Sequence, residues 1–448
     1  MADRSLAGRL GRLRGQTKGA SVGVDDSPTA SGNVDPAPLV RAGTVAQVSF
    51  ADRVQRLMGA PSVRLPREPD ESALAESIGA ERIAPGVLRL DRLLDGRTRH
   101  GSAPLSCFVL DPDPGLQRPL VEMCSRPECV DGEGLRWPAV FLDTETSGLA
   151  GGTGTWAFMT GVLRQDGAGW RLRQYLLARL DAEPVYLEAV RDELADAGTL
   201  VTYNGRSFDG PLLSTRFRLA GFPDPLRDLH HLDLLGPVRR AFGRVWPNCR
   251  LATAETRLLR FVREGDLPGS EAPAAWLGWL RQGEIAPLSR VLRHNRWDLL
   301  SLAGLMPVLA RSFEDPAALG ADTHAVARFH RSKGRESMAL RLLEFERGRL
   351  GPEALLDLAR LYRRQGDWES ALRLWESLTA SGDPQARLAL AKYHEHRTRD
   401  VALALELANG LPPGADRERR CDRLRGKLTE VGEDADRDIE GDRRLSAD

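Results

Sequence analysis

The chain has 448 residues and equal numbers of basic and acidic side chains, 63 each, so it carries no chain-wide field that would draw in nucleic acid or a membrane surface. Its length exceeds one compact core and predicts two or three units with linkers. Cys107, Cys124, Cys129, Cys249 and Cys421 lack C-x-x-C pairing, the N-terminus lacks the apolar core of a secretory signal, and no run of about 18 apolar residues occurs. Reduced thiols in a cytoplasmic protein with no membrane partner are therefore expected.

In chain order, residues 1–45 are small, polar and broken by prolines after a short basic stretch, which predicts a disordered N-terminal tail. Residues 46–134 show short apolar pieces such as "GVLRLDRLL" and "PLSCFVL" between Pro/Gly breaks and read as a partly ordered lead-in. The clearest patterning spans 135–315. "PAVFLD" is a continuous apolar strand, "TWAFMTGVLRQ" and "WRLRQYLLARL" flank the turn "DGAG" as a hairpin, and "TLVTYNG" is a further strand. "PVYLEAVRDELADAG" and "SFDGPLLSTRFRLAG" have helical spacing with Gly stops. Three antiparallel strands, a helix, a strand and a helix make an α/β layer.

From 321 to 412 strand signals vanish and a repeat appears. "ARFHRSKGRESMALRLLE" from Ala327, "ARLYRRQGDWESALRLWE" from Ala359 and a fainter copy from Ala391 follow at an offset of 32, close to the 34 of a tetratricopeptide unit. Residues 413–448, dense in both charges, read as a disordered tail.

Ionised carboxylates at the end of a buried strand need a counter-charge, because burying them alone costs several kcal/mol. Asp143 and Glu145 in "AVFLDTETSG" are two apart, share one face of the strand and can hold a cation between them; oxygen ligands with nothing softer nearby suit magnesium or manganese. A lone Asp-x-Glu is, equally, common among 63 acids and usually solvated. Two further segments strengthen the cation reading. Asp209 follows "TLVTYNG" and opens a helix, and His294 and Asp298 lie one turn apart in the apolar helix "LSRVLRHNRWDLLSLAGLMPVL". Asp233 in "HHLDLLG", with His230 and His231, reads as structural, and Gly148, Gly151, Gly152 and Gly154 read as a tight turn or a close approach to substrate, because no Gly-Lys-Ser/Thr follows them.

Three acidic clusters in this order resemble the DEDD exonuclease branch of the ribonuclease H-like superfamily. "FLDTETSGLAGG", "YNGRSFDGPLL", "HHLDLL", "RLATAE" and "VLRHNRWDLLSL" are more closely similar to the YprB-type ribonuclease H-like domain, which also carries tetratricopeptide-like repeats behind it; the resemblance covers about residues 85–410. It implies a mixed five-stranded sheet flanked by helices, followed by an all-α helical-repeat module. It also implies a site for two divalent ions, Mg2+ or Mn2+, with Asp143 bridging both, Glu145 and Asp298 completing one shell and Asp209 holding the second ion. His294 would orient or deprotonate the attacking water. The family places a His five residues, or a Tyr four, before its last Asp, whereas here a His stands four before Asp298. The general base is therefore open, and a structural pairing of His294 with Asp298 remains alongside it.

Arg239, Arg240 and Arg244, interleaved with Phe242 and Trp246 in a stretch free of acids, offer phosphate contacts and a stacking face, with a solvated arginine-rich loop an equal reading. Asn204 and Phe208, beside Asp209, complete the candidate nucleic-acid contacts. The expected function is a metal-dependent nuclease, a 3′-to-5′ exonuclease on single-stranded DNA or RNA, with a possible protein partner on the helical repeats. A catalytically inactive nucleic-acid-binding protein, or a scaffold acting through the repeats, is the alternative.

Overall fold

The computed structural model describes residues 69–109, 113–124, 134–148 and 154–429. The expected N-terminal tail, the start of the lead-in, Gly151, Gly152 and the last part of the charged tail lie outside the described residues. One sheet organises the chain, with strands in the order β1 (Glu81–Ala84), β2 (Val87–Leu94), β7 (Gly169–Leu177), β6 (Ala157–Asp166), β5 (Ala139–Thr146), β8 (Thr199–Thr202) and β9 (His230–Asp233). The pairs from β1 to β5 are antiparallel, and β5–β8 and β8–β9 are parallel. A separate small hairpin joins β3 (Arg99–His100) and β4 (Ala103–Pro104).

The sheet therefore has seven strands where five were expected. The two extra strands come from the supposed lead-in: β2 pairs with β7 from Val87↔Leu177 to Leu94↔Trp170 and covers what would otherwise be an open edge. Arg89, Asp91 and Arg92 interrupt the apolar alternation of this strand, because its second half is solvent-facing. That interruption conceals the strand from a periodicity argument.

β5 and β8 lie near the middle and are buried on both faces, which explains their continuous apolar runs. Helices α1 (Glu71–Ile78), α2 (Pro114–Val121), α3 (Glu183–Leu194), α4 (Asp209–Leu219), α5 (Leu235–Phe242), α6 (Ala272–Gln282) and α7 (Ala286–Ser312) accompany the sheet. Val140 and Leu142 of β5 face a core shared with α3, α4 and α6, whereas Ala139 and Phe141 face one shared with α5 and the C-terminal half of α7.

Six helices follow up to residue 409: α8 (Thr323–Ser332), α9 (Glu336–Phe345), α10 (Pro352–Gln365), α11 (Trp368–Ala380), α12 (Pro384–Tyr393) and α13 (Val401–Asn409). The repeat read from sequence has a physical basis. Ala327, Ala359 and Ala391 are buried at the first position of each copy, and Gly334 and Gly366 turn the chain with φ of +75° and +86°. In the third copy a π-helical turn, His394–Thr398, inserts one residue. Arg399 then takes the left-handed turn at φ +59°, and Ala404 takes the buried place of Ala339 and Ala371, at an offset of 33 rather than 32 from Ala371. The charged stretch expected to be a tail from 413 begins as a helix over 415–429. Its Arg420, Arg423 and Lys427 converge on the buried carboxylate of Glu395, and Cys421 and Leu424 pack on Ala404 and Ala408.

Candidate active site

Side-chain alternation along β5 turns Asp143 and Glu145 toward α7. The helix comes close because Gly161, opposite Asp143 on β6, has no side chain: a Cβ there would lie 2.0 Å from Asn295 Oδ1 and 2.6 Å from Leu299 Cδ1. Asn295 Nδ2 donates to the Asp143 carbonyl at 3.1 Å and to Asp143 Oδ2 at 2.9 Å, while its Oδ1 accepts from Gln174 Nε2 at 2.8 Å. Glu145 is 7 % exposed, and its Oε1 has no hydrogen-bond partner. Burial first, then the charges of Asp298 and Asp209, push Asp143 and Glu145 well above the ordinary carboxylate range.

Asp209 reaches this point as the first residue of α4, where the helix N-terminus favours a negative charge. It accepts a short hydrogen bond from the Thr144 hydroxyl. Burial nevertheless raises its carboxyl to about 6.

Asp298, on α7, is held by Arg263. The guanidinium donates through Nη2 to Asp298 Oδ1 and, at 2.7 Å, to Glu255 Oε1; through Nε to Glu255 Oε2 at 2.9 Å; and through Nη1 to Asp266 Oδ2 at 3.1 Å. Ser301 donates to Glu255 and meets the buried His100 Nε2 at 2.7 Å. His294 Nδ1 lies 2.8 Å from Asp266 Oδ1, leaving Nε2 3.6 Å from Asp298 Oδ2. Burial would raise Asp266, but its bonds to His294 and Arg263 outweigh that and hold it below the usual carboxylate range.

Asp143, Glu145, Asp209 and Asp298 thus stand near enough that negative charge on one raises the proton affinity of another, with His294 at their edge. No three His, Cys, Asp or Glu side chains among the described residues are grouped as the ligands of an ion. Each acid except Glu145 is instead bonded to a neighbouring donor: Asp143 to Asn295, Asp209 to Thr144, Asp298 to Arg263. Arg263, Asp266 and Asn295 were not singled out from the sequence. Asn295 had a signal, since it stands on the stripe Leu292–Leu299 of α7 where the helical period calls for an apolar residue. Arg263 and Asp266 had none beyond the charged loop "VREGD".

Phe208 is 55 % exposed beside Asp209, and Asn204 sits in a left-handed turn at φ +65° with its N–H donating to Asp233 Oδ1 at 2.7 Å. Asp233 also accepts from the N–H groups of Leu235 and Arg206, and His231 bonds Thr202. Of the expected arginine and aromatic face, Arg239, Arg240 and Arg244 are exposed, whereas Trp246 is turned inward. Trp246 is 9 % exposed and stacks on Phe242 at 4.2 Å, because amphipathic α5 turns its apolar side inward and takes the ring with it. Arg240 lies over the Phe329 ring at 5.2 Å, Arg244 pairs with Asp322 and Glu353, and Arg239 is exposed on the same helix. Arg240 and Arg244 therefore engage the helices that follow residue 320.

The donor set fits a hard divalent cation: all the acids offer oxygen, and Glu145 Oε1, buried and without a partner, is an atom that such an ion would satisfy.

Residues 140–310 match the family model of the RNase H superfamily and carry a domain of that superfamily; the helices from Thr323 onward lie beyond the match. The chain is 36% identical over 166 residues to a protein of Bacillus subtilis (strain 168), "Uncharacterized protein YprB", a match spanning 37% of this chain and 40% of that relative. Among solved structures, the family B DNA polymerase of the archaeon Pyrobaculum calidifontis matches at a TM-score of 0.32 and 13% identity over 69% of this chain and 38% of its own; a likeness that slight does not bear on fold or function. No helix of the described residues is long and apolar enough to cross a membrane.

Proposed function

We propose that this chain is a divalent-metal-dependent nuclease that hydrolyses phosphodiester bonds, acting as a 3′-to-5′ exonuclease on single-stranded nucleic acid. The observation that carries this reading is the buried, unpartnered oxygen of Glu145 among three other carboxylates at the end of β5. Mg2+ or Mn2+ held there, as a pair in the family pattern, would neutralise the acids and supply a water made acidic enough to attack phosphorus. Asp143 and Glu145 would hold the ions from the strand, Asp209 from the start of α4, and Asp298 from α7. With Nδ1–H donated to Asp266, whose oxygen lies nearer than Arg263 Nη1 at 3.2 Å, Nε2 on the Asp298 side would be free to take the proton of the attacking water. Phe208, exposed next to Asp209, gives a terminal base a face to rest on.

A second reading is favoured by one specific contact. Arg263 already neutralises Asp298, as expected of a site that holds a strand without cleaving it.

The test is hydrolysis of 5′-labelled single-stranded DNA and RNA with Mg2+ or Mn2+. Wild type should shorten the strand stepwise from its 3′ end, and Asp143→Ala should lose at least 100-fold of the rate (about 10²), on the order of one catalytic electrostatic group removed. If both proteins bind the strand and neither cuts it, the second reading stands and the nuclease falls.

A further inference from the structure

The helical module contains a cavity of about 460 Å³ between α10, α11 and α12 and the turn after them, whose lining carries the cations Arg360, Arg363, Lys392 and Arg397, with His396 and Gln385. No carboxylate lines it. Two acids of these segments, Asp357 and Glu395, are already neutralised. Asp357 accepts from Arg331 and Arg360, each at 2.9 Å, and Glu395 is buried under Arg420, Arg423 and Lys427. Arg363, Lys392 and Arg397 are exposed, so their charge is directed at solvent or at a ligand. Between them lie two half-buried rings, Trp368 and Tyr393, 5.3 Å apart, with the Arg397 guanidinium 5.4 Å from the Trp368 ring.

We propose that this groove binds a single strand of nucleic acid, its phosphates on Arg363, Lys392 and Arg397 and its bases against Trp368 and Tyr393. Cations alone would suit an acidic peptide equally. Half-open rings bordered by a guanidinium are what base stacking uses, and every base has a face to offer them. The choice of ligand class rests on the nuclease reading, but the groove is a separate contact on separate helices. It would hold a strand whose end is at the carboxylates, or hold it where no cleavage occurs.

The experiment uses the full chain in EDTA, so that hydrolysis plays no part and a failed groove is told apart from a failed nuclease. Fluorescence anisotropy with labelled oligothymidylate and oligouridylate compares wild type, the singles Arg363→Glu, Lys392→Glu and Arg397→Glu, and the triple reversal. All three positions are exposed, and the singles keep the test decisive if the triple variant folds poorly. The triple reversal should weaken binding at least about tenfold at low salt. It should also flatten the slope of log K against log salt by about 2, and each single reversal by about 0.7, the per-contact value for single strands. The proposal is overturned if wild type binds no strand, if the reversals leave affinity and slope unchanged, or if wild type prefers polyglutamate to a strand of equal charge.

Discussion

Asp209 is 9 % exposed, accepts a bond from Thr144 and still has its carboxyl raised to about 6, because burial outweighs the hydroxyl and the helix terminus that favour its charge. The sign of the linkage follows. A carboxyl whose folded pKa lies above its unfolded value, about 3.9 for Asp, stabilises the fold fully below the unfolded value and loses that contribution as pH rises through the folded one. The metal-free chain therefore loses stability from this residue between about pH 4 and pH 6 and slightly above. Other acids shift oppositely: Asp266 and Glu122 are held low by arginine and histidine partners, so the whole-protein pH profile mixes both signs. Comparing wild type with Asp209→Asn isolates the term. In EDTA, the urea midpoint of the variant should rise relative to wild type as pH goes from 4.5 to 7, since asparagine has nothing to ionise and keeps an oxygen for Thr144. A difference that is flat with pH would mean that Asp209 is not held in a dry, anionic setting. Arg263 makes the complementary point. Its guanidinium lies within bonding reach of Glu255, Asp266 and Asp298, so one part-buried cation is shared by three acids on this side of the site.

At the scale of elements, the distance between α7 and the β5–β6 pair sets where Asp298 and His294 stand, and Gly161 sets that distance. Gly161→Ala places a methyl group where Asn295 and Leu299 already are, so α7 must shift or rotate. Overpacking of this kind costs about 1–3 kcal/mol. The denaturant midpoint should fall accordingly, and the proposed strand hydrolysis should fall further than stability alone explains, because the helix carries the site with it; a neutral variant would show that the close approach is not needed. Much of this arrangement was legible in the sequence, and the reasons differ by element. β5, the β6–β7 hairpin, β8, α3 and α4 follow from period-2 and helical patterns, and His294 and Asp298 share a face by their spacing alone. β2 reads only as an apolar piece of a partly ordered lead-in, since its outer half is solvated and breaks the alternation. The inward turn of Trp246 was not legible: amphipathic spacing identifies α5 but does not say that the ring after it will cap the helix's apolar side. Arg263 and Asp266 meet His294 and Asp298 only through folding of an irregular loop, for which no periodicity exists.

Across the whole molecule, the RNase H superfamily domain and the helices behind it share an apolar core. The cluster that begins under the sheet with Phe141 and Trp170 continues through Leu309 and Phe313 of the α7 end into Val326, Phe329, Leu343 and Leu358. Phe313 meets Phe329 edge-on at 5.1 Å, α5 packs on α8, the Asp322 N–H donates to the Ala241 carbonyl at 2.7 Å, and Arg335 clasps Glu122 of the segment after α2. Burying one large apolar side chain is worth about 1.5–3 kcal/mol, and a domain's whole stability is about 5–15 kcal/mol. Removing everything after residue 320 uncovers several such side chains at once, on α5 and at the end of α7, and so takes away most of what holds the remaining part. A chain ending at 320 should therefore be poorly soluble or bind a hydrophobic dye, and should lack a cooperative thermal transition. The intact protein should unfold between the sheet and α11 in one step, seen as coincident loss of near-ultraviolet and far-ultraviolet circular dichroism. If the shortened chain instead melts cooperatively within a few degrees of wild type, the shared core contributes little. The helices would then be an attachment that the RNase H superfamily domain can do without, and the groove on them could be studied as a separate piece.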